Sequence, residues 1–343
     1  MSQWLAAAVL GLAAASASAA GADRRPIPPV FRDRVIRNLE GAQGAVAAAA
    51  ATTLRTADGY RIRVVVSPAY RPRRATEQAY VDFLGSLLHG RELGQLGGLY
   101  IETPREVVSA CGAGALACYV VDRQIMIVPG RPPFPGAPVT YVIAHEYAHH
   151  IAAHRRNALG SAELLGPERW SAYEHVCQGV VSGVLKPGAE AGPAYFENPG
   201  EAWAEAYAQL RFPHTEPWRF DRRLAPTRPG AAAAIRAAVL HPWDGARRRG
   251  RVRIRLGAGA AAAARLRLPM AIGGAVRVGV RAPHGLRYRL AIRAGRQRLA
   301  TVVARGRRRL SLVQCAAGVN VSATVTRLSG AGTARLDLEV PAA

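Results

Sequence analysis

The sequence predicts an α+β domain followed by an all-β antiparallel sandwich, and three observations indicate this division. Up to about residue 245, strand-like runs alternate with longer helix-like runs. Beyond it, apolar residues recur at every second position between glycine-containing turns, which is typical of antiparallel strands. The charge divides at the same place, since residues 246–343 contain 21 Arg and two acidic residues, a net charge of +19 out of +23 for the whole chain. We therefore predict domains at residues 21–245 and 246–343.

The first domain is predicted to have the element order β-α-β-β-α-α-α behind an N-terminal helix. The predicted strands are residues 61–67, 98–101 and 119–128, and the predicted helices are residues 33–54, 76–88, 139–153, 167–185 and 199–210. The run 119–128 is the clearest strand, because it is rich in β-branched residues and ends at Pro129-Gly130. A proline-rich loop, 129–138, leads from it into the helix at 139–153.

The helix at 139–153 contains the motif H-E-x-x-H, formed by His145, Glu146 and His149. Positions i and i+4 of an α-helix lie one turn apart on the same face, so the two imidazoles are spaced to bind one metal ion. Glu146 lies beside them, where a carboxylate can take a proton from a zinc-activated water. Pro138 can start the helix, and no Gly or Pro follows before Gly160. The residues thus predict a Zn²⁺ site with His145 and His149 as ligands and Glu146 as general base.

A catalytic zinc ion usually has three protein ligands and a water, so a third ligand is expected elsewhere. The continuation H-E-x-x-H-x-x-G-x-x-H is absent, because Ala152 and Arg155 stand where its glycine and third histidine would be. The helix at 199–210 offers Glu201 as a ligand, and Glu205, one turn later, could accept the free N–H of a ligand histidine. A purely local interpretation also exists, because Asn198 and Glu201 have the spacing of a capping box and acidic residues are common in first helical turns.

These motifs resemble those of the gluzincins, zinc metallopeptidases with H-E-x-x-H on one helix and a glutamate on a later one. The stretch E-x-x-A-E-A, from Glu201 to Ala206, is similar to the catalytic domain of the anthrax lethal factor group. The resemblance covers residues 61–212 and implies a zincin-like metallopeptidase fold, zinc binding by Glu201 and hydrolysis of a protein or peptide substrate. It further implies that Glu205 supports a ligand histidine and that Tyr195 stabilises the transition state.

Glu174 is a second candidate for the third ligand. It lies on the predicted helix 167–185, which resembles the E-L-Q-A-D-C helix of another family of bacterial zinc peptidases. When the two are aligned on Cys177, however, Ala172 stands at the glutamate position. Both candidates stay open at this point, and the gluzincin pattern favours Glu201.

The first twenty residues, 1–20, are predicted to be a secretory signal peptide. Their apolar run, 4–15, is too short to span a bilayer, and Ala17-Ser18-Ala19 fits a small-residue cleavage site. An uncleaved anchor or a buried helix is the alternative, because the first residues lack Lys and Arg. We expect a secreted or cell-envelope bacterial protein with no further membrane span.

The four cysteines fit an exported protein with two disulfides, for which three pairings are possible. Cys111 and Cys118 enclose a short loop rich in Gly and Ala that could close on itself. Cys177 and Cys315 would then remain, and their pairing would connect the two predicted domains. Buried free thiols are the alternative if the chain is not exported.

The predicted sandwich carries its arginines on the solvent-facing positions of alternating strands. The predicted strands, part of a set of about seven, are residues 251–256, 265–268, 275–281, 286–292, 319–326 and 333–340. This pattern is similar to the β-sandwich modules that follow many secreted bacterial peptidases, including the pre-peptidase C-terminal type.

An arginine-rich face would attract polyanions, so an anionic cell-envelope polymer is a candidate partner. Nucleic acid is not expected, because no aromatic residues are interleaved for base stacking. The plainer interpretation is a solvated face in an arginine-biased sequence, since the chain contains a single Lys. The sequence therefore leaves two functions to compare: a secreted zinc peptidase, and a catalytically inactive protein that binds an envelope polymer through the basic sandwich.

Overall fold

The structure is a computed structural model, and it describes residues 33–36, 51–71, 74–215, 217–258 and 260–343. The predicted signal peptide, residues 1–20, lies outside the described residues. Within them the chain forms a mixed α/β region followed by antiparallel sheets, which confirms the predicted order of the two architectures. The boundary at residues 245 and 246 stays a prediction.

The α/β region is organised around one mixed sheet, whose spatial order is β1-β5-β6-β4-β3-β2. Strands β3, β4 and β6 run parallel, β2 runs antiparallel to β3, and β5 runs antiparallel to β6. Strand β1 pairs in parallel with β5 at one edge. The strands are β1 Val35–Ile36, β2 Ala51–Arg55, β3 Arg61–Val66, β4 Gly98–Glu102, β5 Cys118–Val120 and β6 Ile125–Pro129.

Helices cover both faces of this sheet, and α3 lies closest to its centre. The helices are α1 Arg74–Ser86, α2 Pro104–Cys111, α3 Val139–Ala153, α4 Ala162–Leu165, α5 Glu168–Tyr173, α6 Val176–Val181, α7 Pro199–Gln209 and α8 Ala231–Leu240. Short 3₁₀ helices lie at Arg91–Gln95, Pro193–Glu197 and Arg222–Leu224. Nearly every residue of α3 is buried, because the sheet lies on one side of it and α7 on the other. The polar side chains of α3 therefore lie in the interior, where each requires a partner.

Three of the predicted elements are wrong in part. The predicted helix 33–54 has a strand at each end, β1 and β2, since both segments pair with edges of the sheet; residues 37–50 lie outside the described part. The predicted strand 119–128 is two strands, because Gln124 at φ 55° forms a turn between β5 and β6. The predicted helix 167–185 is interrupted at His175, whose φ of 55° is left-handed and cannot continue a right-handed helix.

The C-terminal region forms two four-stranded antiparallel sheets, ordered β11-β10-β13-β8 and β12-β9-β14-β7. Buried apolar residues alternate along the strands, as along β9 with Val276, Val278 and Val280, and form one core shared by both sheets. The strands are β7 Arg247–Leu256, β8 Ala263–Met270, β9 Gly274–Arg281, β10 Arg287–Ala294, β11 Gln297–Arg305, β12 Arg307–Gln314, β13 Val319–Ser329 and β14 Gly332–Pro341. The predicted antiparallel architecture is confirmed; β11 and β12 were not among the predicted strands.

Two disulfides join Cys111 to Cys118 and Cys177 to Cys315, which is the pairing that the short loop suggested. The second spans 138 positions and ties α6 to the segment after β12. Disulfides persist in oxidising compartments, so the pair is consistent with an extracellular protein. None of the helices within the described ranges is long and apolar enough to cross a membrane.

Candidate metal centre

Helix α3 presents the two motif histidines side by side in the interior. The ring centroids of His145 and His149 lie 5.2 Å apart, as expected for residues one helical turn apart. Both rings are 1% exposed, and Glu146 between them is fully buried. The apolar residues that bury the rest of α3 thus hold three ionisable groups together out of contact with bulk water.

Helix α7 brings Glu201 to the same place. The Asn198 side chain caps this helix by accepting a hydrogen bond from the backbone N–H of Gly200, so Glu201 falls in the first turn. The indole N–H of Trp203 donates to the carbonyl of Ala148 at 2.9 Å and fixes α7 against α3. As a result, Glu201 Oε2 lies 3.6 Å from His145 Nε2 and 3.5 Å from His149 Nε2.

The close approach at the start of α7 depends on Gly200. A β-carbon at this position would lie 2.4 Å from the carbonyl oxygen of Glu163 in α4. Any larger residue would therefore push the first turn of α7, and with it Glu201, away from its present position.

Asp33 completes the cluster, and sequence reasoning missed it. Its Oδ2 atom lies 2.8 Å from His149 Nε2 and 3.3 Å from His145 Nε2. Asp33 comes two residues before β1, whose parallel pairing with β5 holds the segment at the edge of the sheet. No motif links Asp33 to the histidines more than a hundred residues later. The sequence predicted a helix at 33–54 and not the strand that positions Asp33.

Asp33, His145, His149 and Glu201 together form a buried group that could hold a metal ion, with one donor atom of each within 4.8 Å of the others. Four ligands at tetrahedral positions around zinc, with bonds of about 2.0–2.1 Å, would stand about 3.4 Å apart. The four nitrogen–oxygen distances between the histidines and the two carboxylates run from 2.8 to 3.6 Å. Imidazole nitrogens with carboxylate oxygens are a donor set that zinc accepts. The residues therefore fit such an ion in both spacing and chemistry.

The charges of the cluster favour a cation at its centre. Burial alone would raise the pKa of Asp33, but the imidazoles of His145 and His149 hold that pKa well below its ordinary value. Burial alone would lower the pKa of His145, yet Asp33 raises it well above the usual range. Against the same effect of burial, Glu201 and Asp33 raise the pKa of His149 to about 10. The carboxylates thus stabilise positive charge at the two imidazoles, as they would stabilise a metal ion.

Glu146 lies next to the cluster without taking part in it. Both of its carboxylate oxygens are buried, and neither has a hydrogen-bond partner among the residues that the structure describes. Burial, followed by the nearby Asp33 carboxylate, raises the pKa of Glu146 well above its ordinary value. A buried carboxyl with no partner is costly, so its presence calls for a further group at this point, such as a water or a substrate.

Tyr195 and Glu205, both singled out from the sequence, contact the cluster from the side of α7. The Tyr195 hydroxyl donates to Asp33 Oδ1 at 2.8 Å and lies 3.1 Å from Glu201 Oε2. Glu205 Oε2 lies 3.4 Å from His145 Nδ1 and accepts a hydrogen bond of 2.5 Å from the Tyr141 hydroxyl. Glu205 thus faces the nitrogen of His145 that points away from the cluster.

Glu174 does not approach the cluster. It ends α5 and pairs with Arg228, and burial raises its pKa to about 7 although Arg228 opposes this. The next motif neighbour, His150, also faces elsewhere: its Nδ1 contacts the Tyr119 hydroxyl and its Nε2 the carbonyl of Glu92. The structure therefore brings Glu201, and not Glu174, to the histidines.

The sequence matches no protein-family model and no curated protein. The resemblance to gluzincins consequently rests on the motif residues alone. The buried four-residue group does not depend on that resemblance. It lies in an α/β region that is followed by antiparallel sheets.

Proposed function

We propose that this chain is a secreted zinc-dependent peptidase, in which Glu146 is the general base for hydrolysis of a peptide bond. The observation that carries the proposal is the buried group of donor atoms with the unpartnered Glu146 carboxylate beside it. His145, His149 and Glu201 would be the zinc ligands. Zinc bound there would lower the pKa of a coordinated water to about 7 and polarise the substrate carbonyl.

The residues around the ligands supply the rest of the chemistry. Glu146 would accept the proton of the attacking water and deliver it to the leaving nitrogen. Its high pKa in the protein alone would fall next to a bound cation, which favours the ionised form that a base needs. Tyr195 would donate its hydroxyl proton to the developing oxyanion. Glu205, 3.4 Å from His145 Nδ1, would hold the ring with Nε2 directed at the ligand position.

Asp33 bears on whether the proposed site would be open or closed. A catalytic zinc site keeps one position open for water or substrate, and here the Asp33 carboxylate is a fourth donor that would take that position. Its second oxygen accepts the hydrogen bond of Tyr195 that the oxyanion would need. We infer a closed form of the peptidase, in which Asp33 blocks both the water position and the oxyanion donor.

Release of Asp33 would disturb little of the fold. Among the described residues, the segment is held through the two-residue edge strand β1, which pairs with β5. In the described part of the chain, the backbone N–H groups of Tyr119 and Val121 donate to the carbonyls of Arg34 and Ile36 and help to attach it. Withdrawal or cleavage of this segment would therefore open the site while the central sheet and α3 stay in place.

The alternative is a catalytically inactive protein that acts through its basic C-terminal sheets. The four-ligand set favours it, because structural zinc sites are closed by four protein ligands. The two functions differ in what the removal of Asp33 does: it opens an active site in the first and only weakens a structural site in the second.

The experiment compares three proteins: the unaltered chain, Asp33→Ala, and Asp33→Ala with Glu146→Gln. Zinc per chain, affinity for a hydroxamate inhibitor and hydrolysis of casein with and without a chelator are measured for each. We expect Asp33→Ala to bind one zinc ion and the hydroxamate, and to hydrolyse casein faster than the unaltered chain. The double variant should keep zinc and hydroxamate binding and lose about a hundredfold or more of the activity.

Two results would decide against the proposal. Asp33→Ala with one zinc ion, but with neither hydroxamate binding nor hydrolysis, would indicate the inactive alternative. Full activity of the double variant with zinc retained would reject Glu146 as the base.

A further inference from the structure

The outer surface of the sheet β12-β9-β14-β7 is covered with arginines. Along each of these strands, every second residue points into the core, as Val278 and Leu336 do. The intervening residues of each strand therefore face outward. We call this surface the arginine face and define it by eight residues: Arg249, Arg251, Arg253, Arg277, Arg281, Arg307, Arg309 and Arg335. It lies in the antiparallel region and shares no residue with the metal centre.

Four of these arginines form one row across all four strands. Arg307 pairs with Arg281, Arg281 with Arg335, and Arg335 with Arg253. Neighbouring strands lie about 4.8 Å apart, so the row extends roughly 14 Å. Like charges directly opposite each other destabilise a sheet. The repulsion is visible at Arg307, where Arg309 and then Arg281 lower the guanidinium pKa.

The acidic residues of the face compensate only part of this charge. Asp337 lies 2.7 Å from Arg251 and 3.1 Å from Arg335, and Glu339 lies 2.8 Å from Arg249 and 3.1 Å from Arg277. No carboxylate in the described parts of the chain pairs with the other four arginines, which are Arg253, Arg281, Arg307 and Arg309. The face thus keeps uncompensated positive charge, and three of these four arginines belong to the row.

A groove of about 770 Å³ opens over the middle of the face. Gly279 stands in its centre, in register with Arg309 on one side and Asp337 on the other. A β-carbon at Gly279 would have the Cβ atom of Asp337, at 3.8 Å, as its nearest neighbour, so the space above it is open. A chain-like ligand can therefore approach the backbone between the guanidinium groups.

The opposite sheet shows that arginine bias alone does not produce this arrangement. There the central strand β13 places Ser322, Thr324 and Thr326 outward, and these residues separate the arginines of β10 from those of β8. Arg289, for example, pairs with Val303 on one side and Thr326 on the other. The two outer surfaces come from the same sequence region, yet only the first has four arginines in register across its strands.

We propose that the arginine face binds a linear, phosphate-bearing polymer of the cell surface. Guanidinium groups present paired N–H donors that match phosphate oxygens, and a row of them suits a repeating anion. None of the residues lining the groove is aromatic, which speaks against single-stranded nucleic acid, whose bases stack on such side chains. The two disulfides are consistent with an extracellular protein, and such a protein would meet cell-surface polymers.

The test adds one negative charge to each outer surface of the full-length chain. Gly279→Glu fills the groove, and Gly279 lacks the positive φ that would strain a side chain. The matched control is Ala291→Glu, which stands outward in β10 between Thr301 and Thr324. Inorganic polyphosphate is the probe, and its affinity is measured by fluorescence anisotropy over a series of salt concentrations. We expect Gly279→Glu to weaken binding about tenfold and to flatten the salt dependence, and Ala291→Glu to weaken it less than about threefold.

Two double variants test the same proposal if Gly279→Glu does not fold. Arg281→Gln with Arg309→Gln removes two unpaired arginines of the face, whereas Arg265→Gln with Arg289→Gln removes the same charge from the opposite sheet. The first pair should lose about tenfold more affinity for polyphosphate than the second. Equal losses in the matched variants would overturn the proposal, as would tighter binding of single-stranded DNA with the same number of phosphates. Neither result depends on peptidase activity.

Discussion

The candidate metal centre and the arginine face differ in the sign and the burial of their charged groups. In the candidate metal centre, each of two imidazoles lies 2.8–3.6 Å from the two carboxylates, and all four groups are almost completely buried. On the arginine face, like charges stand in register at the surface, and four of them have no acidic partner in the described ranges. The difference follows from solvent: water screens exposed charges, whereas buried charges need direct partners or a metal ion. The buried cluster is thus suited in charge to a cation, and the arginine face to an anion.

The largest effect should come from the third ligand of the metal centre. In the Asp33→Ala background, where Asp33 cannot substitute, Glu201→Ala should weaken zinc binding about a hundredfold or more, because one of three ligands is lost. Glu174→Ala in the same background is the control and should leave zinc affinity unchanged, since Glu174 pairs with Arg228. Competition with a chromophoric chelator measures both. If Glu174→Ala weakened zinc binding and Glu201→Ala did not, Glu174 would be the ligand, and α7 would contribute no ligand to the site.

Glu102 is a buried carboxyl outside both regions, and its pKa shows that burial without a counter-charge disfavours the ionised form. Burial, with the hydrogen bond and charge of Glu106, raises the pKa of Glu102 from 4.5 to about 8. A group with a raised folded pKa stabilises the fold most below its unfolded pKa, and this contribution disappears as the pH rises through the folded value. The free energy of unfolding should therefore fall by on the order of 2 kcal/mol between pH 5 and pH 8.

The variant Glu102→Gln can still donate a side-chain hydrogen bond to Glu106, but its amide does not ionise. Urea unfolding at the two pH values should show that this variant removes most of the pH-dependent fall. The same fall in the variant and in the unaltered chain would mean that Glu102 is not the group responsible.

The smallest effect should come from the arginine row itself. Arg281 has an arginine on each side, so Arg281→Gln should stabilise the sheet by some tenths of a kcal/mol, up to about 1 kcal/mol, at low salt. The gain should shrink at high salt because the repulsion is screened. Arg289→Gln is the control, since its cross-strand neighbours are Val303 and Thr326. Thermal unfolding at two salt concentrations checks this, and equal gains in the two variants would mean that the row is not repulsive.

Local patterns predicted the parts of the site that single elements build. The motif histidines and Glu146 lie on one helix, and Glu201 follows an N-cap that the sequence shows; the structure brings both histidines and Glu201 into one buried group. The period-two pattern likewise predicted the antiparallel sheets. In each case the signal lies within about ten neighbouring residues.

The remainder depends on contacts between distant segments. Asp33 reaches the cluster because β1 adds to the edge of the sheet, and a two-residue strand has too little sequence pattern to be recognised. The break at His175 places Glu174 against Arg228, a partner 54 positions later. The arginine row is a property of strand register, which the alternating pattern of any single strand does not contain.

The central claim is that one zinc ion binds between α3 and α7. Anomalous diffraction at the zinc edge, from crystals of Asp33→Ala grown with zinc, tests it most directly. The account predicts one peak bonded to His145 Nε2, His149 Nε2 and a Glu201 carboxylate oxygen at about 2.0–2.2 Å, with Glu146 beside the open position. No peak at this place, or a zinc ion held by other residues, would contradict it.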